Sequence, residues 1–84
     1  MYYLYVLTNK EDGVYIGSTR DLKRRIARHQ AGHVQTTSGN KWKLVYYEAY
    51  RAESDARQRE KRLKQHGQAK RQLKDRIVAS RKAS

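Results

Sequence analysis

Two runs of aromatic and aliphatic residues near the start of the chain constrain its fold more than any other feature. Tyr2 to Leu7 reads Tyr-Tyr-Leu-Tyr-Val-Leu, and Val14-Tyr15-Ile16-Gly17 resumes a similar composition after a polar cluster, Asn9 to Gly13, that ends in Asp12-Gly13. Aromatic and β-branched residues fit a pleated, half-buried surface, and an Asp-Gly turn between two such runs is the signature of a β-hairpin. Tyr3 and Tyr5 then share one face of the first strand by alternation, and Tyr15 lies centrally in the second.

After the hairpin, Ser18-Thr19-Arg20-Asp21 offers a hydroxyl N-cap with an acid three residues on, and Leu22 and Ile26 form an i, i+4 apolar pair. A helix is expected from about Thr19 to Ala31, closed by Gly32. The stretch from Gly32 to Lys41, rich in Thr, Ser, Gly and Asn, reads as a mobile loop able to close over a ligand. Trp42 to Tyr50 is a third strand, and Ser54 can cap a helix that runs to about Gln65. Gly67 separates that helix from a last, basic one over Gln68 to Arg81, with Leu73, Ile77 and Val78 as its apolar stripe. The order β-β-α-β-α-α over residues 1–84 makes a single α+β domain with a three-stranded antiparallel sheet.

A chain of 84 residues buries only about 60 to 65% of its unfolded surface, so an active site must lie at or near the surface. The absence of cysteine removes disulfides, thiolate zinc sites and cysteine nucleophiles together. No apolar stretch approaches the roughly 18 residues of a membrane span, and Met1 is not followed by a signal-like segment, so a soluble, cytoplasmic protein is expected. Twenty Lys plus Arg against eight Asp plus Glu give a net charge of 20 − 8 = +12, which calls for a polyanionic partner. Residues 1–56 hold nine basic and six acidic side chains, and residues 57–84 eleven and two. That last, basic third lacks the bulky Trp and Phe face of a membrane-lying helix, which favours nucleic acid over a lipid surface.

Polar side chains in apolar positions point to the chemistry. On the first helix His29 falls inside the stripe set by Leu22 and Ile26, and Arg25 at its edge. Taken singly, a satisfied boundary histidine and an arginine stem lying on apolar surface account for both. On the next helix Glu60 falls between Ala56 and Leu63, a carboxylate inside the apolar stripe of a cationic helix. It needs either a salt-bridge partner or a hard divalent cation held through oxygen and water, and the pattern alone leaves both open. Seven tyrosines and no phenylalanine are a second anomaly. Phenols near an arginine and a bound cation can orient a phosphate or pass a proton to a water, their pKa of about 10 lowered by those charges. Packing with surface hydroxyls accounts for some of Tyr2, Tyr46, Tyr47 and Tyr50.

Together these residues resemble the GIY-YIG nuclease domain. Tyr15-Ile16-Gly17 matches the second motif, and Tyr3-Leu4-Tyr5 resembles the first, its final tyrosine 15 − 5 = 10 residues earlier, as the family spacing requires. The stretch from Gly17 to Ile26 resembles the family segment that carries an arginine, here Arg25, followed by a frequent histidine, here His29. Ala56-Arg57-Gln58-Arg59-Glu60 resembles the segment with the metal-binding glutamate. The likeness covers residues 2 to about 78, and is closest to small stand-alone bacterial members. Tyr3 replaces the glycine of the first motif, and the asparagine that several family enzymes carry after the glutamate is missing.

The resemblance implies one divalent metal, Mg²⁺ or Mn²⁺, on Glu60, with Tyr5 or Tyr15 activating water, Arg25 on the phosphate and His29 in support. Lys23, Arg24, Arg28, Lys61 and Lys64 are expected to hold the nucleic-acid backbone on either side. The expected activity is hydrolysis of phosphodiester bonds with weak sequence selectivity, DNA favoured over RNA. The alternative is a non-catalytic nucleic-acid-binding module that keeps the fold, and docking to a partner protein through the last helix is a third reading.

Overall fold

The computed structural model describes residues 1–11, 13–32 and 41–83. The expected Asp12-Gly13 turn, at Asp12, and the loop expected to close over a ligand, at 33–40, lie outside the described residues. The elements are β1 (Tyr2–Thr8), β2 (Val14–Thr19), α1 (Leu22–Gln30), β3 (Lys43–Tyr50), α2 (Glu53–Gln65), α3 (Gly67–Arg76) and α4 (Val78–Ala83). The expected α+β class and three-stranded antiparallel sheet are present, with strand order β2-β1-β3. None of the described helices is long and apolar enough to cross a membrane.

β1 lies in the middle because it is the strand whose side chains can be buried on both faces, and Leu4 to Thr8 are all buried. Alternation sends Leu4 and Val6 to one face, where they form a core with Ile16 of β2, Leu63 of α2, Leu73 of α3 and Ile77. Tyr5 and Leu7 go to the other, where Trp42 and the partly buried Tyr15, Leu22 and Ile26 complete a second cluster beneath α1. The sheet is therefore sandwiched, α2 and α3 on one side and α1 on the other. β2 is an edge strand, so side chains from both layers meet around it.

Several boundaries differ from the sequence reading. β2 does not end at Gly17: Ser18 pairs with Leu4 and Thr19 with Tyr3. Pairing with β1 draws both hydroxyl residues into the sheet, and the cap passes to Asp21, whose carboxylate accepts from the Arg24 N–H at 3.1 Å. α1 accordingly starts at Leu22, and Gly32 follows its end with the positive φ of 75° expected of a closing glycine. α2 begins at Glu53, and no side chain caps it; Ser54 lies inside the first turn, where Glu53 and Asp55 offset the exposed N–H groups. The last helix is two. The chain breaks at Ile77, which leaves helical geometry (φ −109°, ψ 24°) and turns into the core, while Val78, expected on the apolar stripe, is 40% exposed at the head of α4. Between α2 and α3 the break falls at extended His66, and Gly67 is already helical.

Candidate active site

Tyr5 stands at the centre of β1, 1% exposed, and His29 rises from the last turn of α1 to meet it. Tyr5 Oη and His29 Nε2 lie 2.9 Å apart, a bond that runs from hydroxyl to nitrogen when the imidazole proton is on Nδ1. The Tyr15 ring packs edge-on against His29 with centroids 4.8 Å apart, and lies 6.2 Å from Tyr5 and 6.4 Å from Trp42. Gly17 pairs with Tyr5 across the sheet and lets the phenol lie flat on the strand: a Cβ there would sit 2.6 Å from Tyr5 Oη and 3.1 Å from the Tyr15 ring.

Burial governs the protons here. It pushes the Tyr5 phenol well above its ordinary range, with Tyr15 adding to the shift and Arg25 opposing it. The expectation of a lowered phenol pKa is therefore wrong for Tyr5: the arginine acts in the foreseen direction, but losing water outweighs it. Burial also lowers the pKa of His29, helped by the charges of Arg25 and Arg28, which favours the neutral imidazole that can accept the hydrogen bond of the Tyr5 hydroxyl.

Glu60 comes from α2 on the opposite layer and reaches the same edge strand. Its Oε1 accepts from Ser18 Oγ at 2.5 Å, and its Oε2 pairs with Lys64 Nζ at 2.6 Å. The same ammonium lies 5.9 Å from the centre of the Tyr15 ring, which ties the carboxylate to the tyrosine cluster. Among the described residues no three acidic, histidine or cysteine side chains gather as a metal site. The donors present, one carboxylate with a hydroxyl beside it in an open hollow of about 480 Å³, suit a small hard cation that keeps most of its water. Of the two alternatives for Glu60, the salt-bridge partner is present as Lys64.

Next to this hollow, and sharing Ser18 and Arg57 with it, runs a cleft of about 440 Å³ lined by Arg20, Arg24, Arg25, Arg28 and Arg57. Of the expected backbone-binding residues, Arg24 and Arg28 line this cleft, Lys61 and Lys64 the hollow around Glu60, and Lys23 a separate depression with Arg20. Sequence reasoning missed Ser18, Arg20 and Arg57. Ser18 was legible only once β2 was known to continue past Gly17, which aims alternate residues to opposite layers.

It also missed a second polar cluster. Glu48 of β3 accepts from Tyr46 Oη at 2.6 Å, from Tyr50 Oη, and from Arg59 Nε at 3.0 Å and Nη2 at 3.2 Å. Burial alone would raise the pKa of Glu48, but these hydrogen bonds and the Arg59 charge outweigh it and hold the carboxyl below its ordinary range. The spacing Tyr46, Glu48, Tyr50 on one strand face was the available signal.

A family model described as the GIY-YIG catalytic domain matches residues 1–74. A UPF0213 protein of Natronomonas pharaonis is 36% identical over 80 residues, which cover 93% of this chain and 91% of the relative. A UPF0213 protein of Clostridium perfringens is 35% identical over 66 residues, 76% of this chain and 71% of the relative. One of Staphylococcus haemolyticus is 34% identical over 65 residues, 75% and 79% of the two chains. No solved structure matches the chain.

Proposed function

The chain belongs to the GIY-YIG family of the nuclease superfamily, and on that premise we propose that it is a divalent-metal-dependent endonuclease that hydrolyses DNA with little sequence selectivity. One observation carries this reading. A carboxylate, two tyrosines, a neutral histidine and an arginine-lined cleft converge on strand β2. Simple phosphate binding has no use for a carboxylate set among cations.

Glu60, with Ser18 beside it, is the residue that would hold Mg²⁺ or Mn²⁺. Such an ion supplies Lewis-acid stabilisation of the phosphate and acidifies water bound to it. The chain's own side chains do the rest. Arg25 binds the scissile phosphate and offsets the charge that builds as water adds to phosphorus and the bond to the leaving oxygen breaks. Arg24 and Arg28 on one side, with Lys23, and Lys61 and Lys64 on the other, neutralise neighbouring phosphates. Tyr15, the more exposed of the paired tyrosines, faces the attacking water. Tyr5 keeps its proton and shares it in a hydrogen bond with the neutral His29 ring, which holds the two phenol rings in place beside that water, while the water's proton passes to solvent and the leaving oxygen takes one up from it.

The test is incubation with supercoiled plasmid, linear duplex, single-stranded DNA and RNA in Mg²⁺, Mn²⁺ or EDTA. The expected result is cleavage of DNA that EDTA abolishes. Salt-sensitive binding with no cleavage in any metal would replace this reading with the non-catalytic binding module. Cleavage confined to RNA would replace the substrate.

A further inference from the structure

The side of the sheet that α1 covers carries an aromatic surface that the chemistry above leaves unused. Tyr47 on β3 is 54% exposed and Leu44 is 36% exposed, an unusual cost for an edge strand to bear unless something covers it. Tyr3 packs edge-on against Tyr47, ring centres 6.0 Å apart and planes at 65°, which supports one side of the exposed ring. With Leu22 these residues floor a shallow depression of about 700 Å³ whose rim carries Arg20 and Lys23. Arg20 and Asp21 also line the arginine cleft, so the two concavities adjoin.

An exposed tyrosine beside cations is the combination that binds unpaired bases: the ring stacks on the base and the cations hold its phosphate. In a duplex each base has both faces covered by its neighbours, so only an unpaired base has a face to offer. We propose that the Tyr47 depression is a stacking subsite for one unpaired base of single-stranded DNA, adjoining the nucleotide whose phosphate lies in the arginine cleft; this rests on the nuclease reading for what passes through that cleft. DNA is taken as the polymer from the nuclease reading on which the subsite rests. The flanking cations and the net charge of +12 set the sign of the ligand and speak against an apolar protein partner.

The test is fluorescence anisotropy in EDTA, where no cleavage intervenes, with labelled oligodeoxythymidine, a duplex of equal length and oligouridine. Tyr47→Ala is expected to weaken oligodeoxythymidine binding about tenfold, Tyr47→Phe to leave it within about twofold, and neither to change duplex binding. An unchanged affinity in Tyr47→Ala, or an equal loss on the duplex, would overturn the subsite. Oligouridine bound more tightly than oligodeoxythymidine, with the same dependence on Tyr47, would overturn its assignment to DNA. Cleavage is read separately: a protein that cuts nothing but keeps the Tyr47 dependence loses the nuclease reading and retains the subsite.

Discussion

At Gly17 a side chain would have to share space with Tyr5: a Cβ would lie 2.6 Å from the phenol oxygen and 2.7 Å from Cζ. Tyr5 is buried and bonded to His29, so it cannot swing aside. Gly17→Ala is predicted to cost about 1–3 kcal/mol, seen as a fall in thermal midpoint. The cause is crowding; a variant that melts like the parent would show that Tyr5 has room to move. His29 carries a second prediction. Its folded pKa lies below the ordinary 6.5, so the unfolded chain takes up this proton first as pH falls. The stability that neutral His29 contributes is complete above about pH 6.5 and is lost as pH drops below it. The urea midpoint is expected to be lower at pH 5.5 than at 7.5, with a flatter dependence in His29→Gln; equal midpoints at both values would contradict the burial account. The site was legible at this scale where a polar residue broke an apolar stripe, as His29 and Glu60 do. The direction of the Tyr5 shift was not, because it depends on how completely helix α1 excludes water.

At the scale of elements, the sheet is joined to α2 by polar contacts as well as apolar ones. Glu48 gathers Tyr46 and Tyr50 from its own strand and Arg59 from α2, with side-chain exposures of 16% for Glu48 and 26% for Arg59. Removing the carboxylate strands a guanidinium and two hydroxyls. Glu48→Ala is expected to cost about 2–4 kcal/mol and to lower the melting temperature by about 10 °C or more; a loss of only a few degrees would mean that water replaces Glu48 freely. Element types were legible throughout, because each run has a clear period of two or of 3.6. Boundaries were not, where tertiary contacts decide them. β2 runs on because β1 has partners for Ser18 and Thr19, and the last helix breaks because Ile77 is buried where a continuous helix would have carried it around with Val78. The strand face of Tyr46, Glu48 and Tyr50 was a local signal for this cluster, but Arg59 was not, because it is brought in from α2 by the tertiary fold.

As a whole, the molecule measures 30 × 27 × 21 Å, shorter than one turn of B-form DNA at about 34 Å, and it carries a charge of +12. A body of that size can touch only a few phosphates, so the proposed DNA binding is expected to rest on charge and to fall with salt. Arg24→Ala with Arg28→Ala is expected to weaken all DNA sequences alike and to reduce the slope of log affinity against log salt by about two units; an unchanged slope would put the backbone elsewhere. The central claim is that Glu60 serves the chemistry, and that affinity for the polymer comes from the cations around it. The most direct measurement is therefore made on Glu60→Gln, taking DNA affinity in EDTA and cleavage rate in Mg²⁺ or Mn²⁺ on the same substrate. The prediction is affinity equal to or above that of the parent, since a negative charge has left a cationic cleft, with cleavage reduced at least about 10³-fold. Cleavage at the parent's rate, or binding lost together with cleavage, would contradict it.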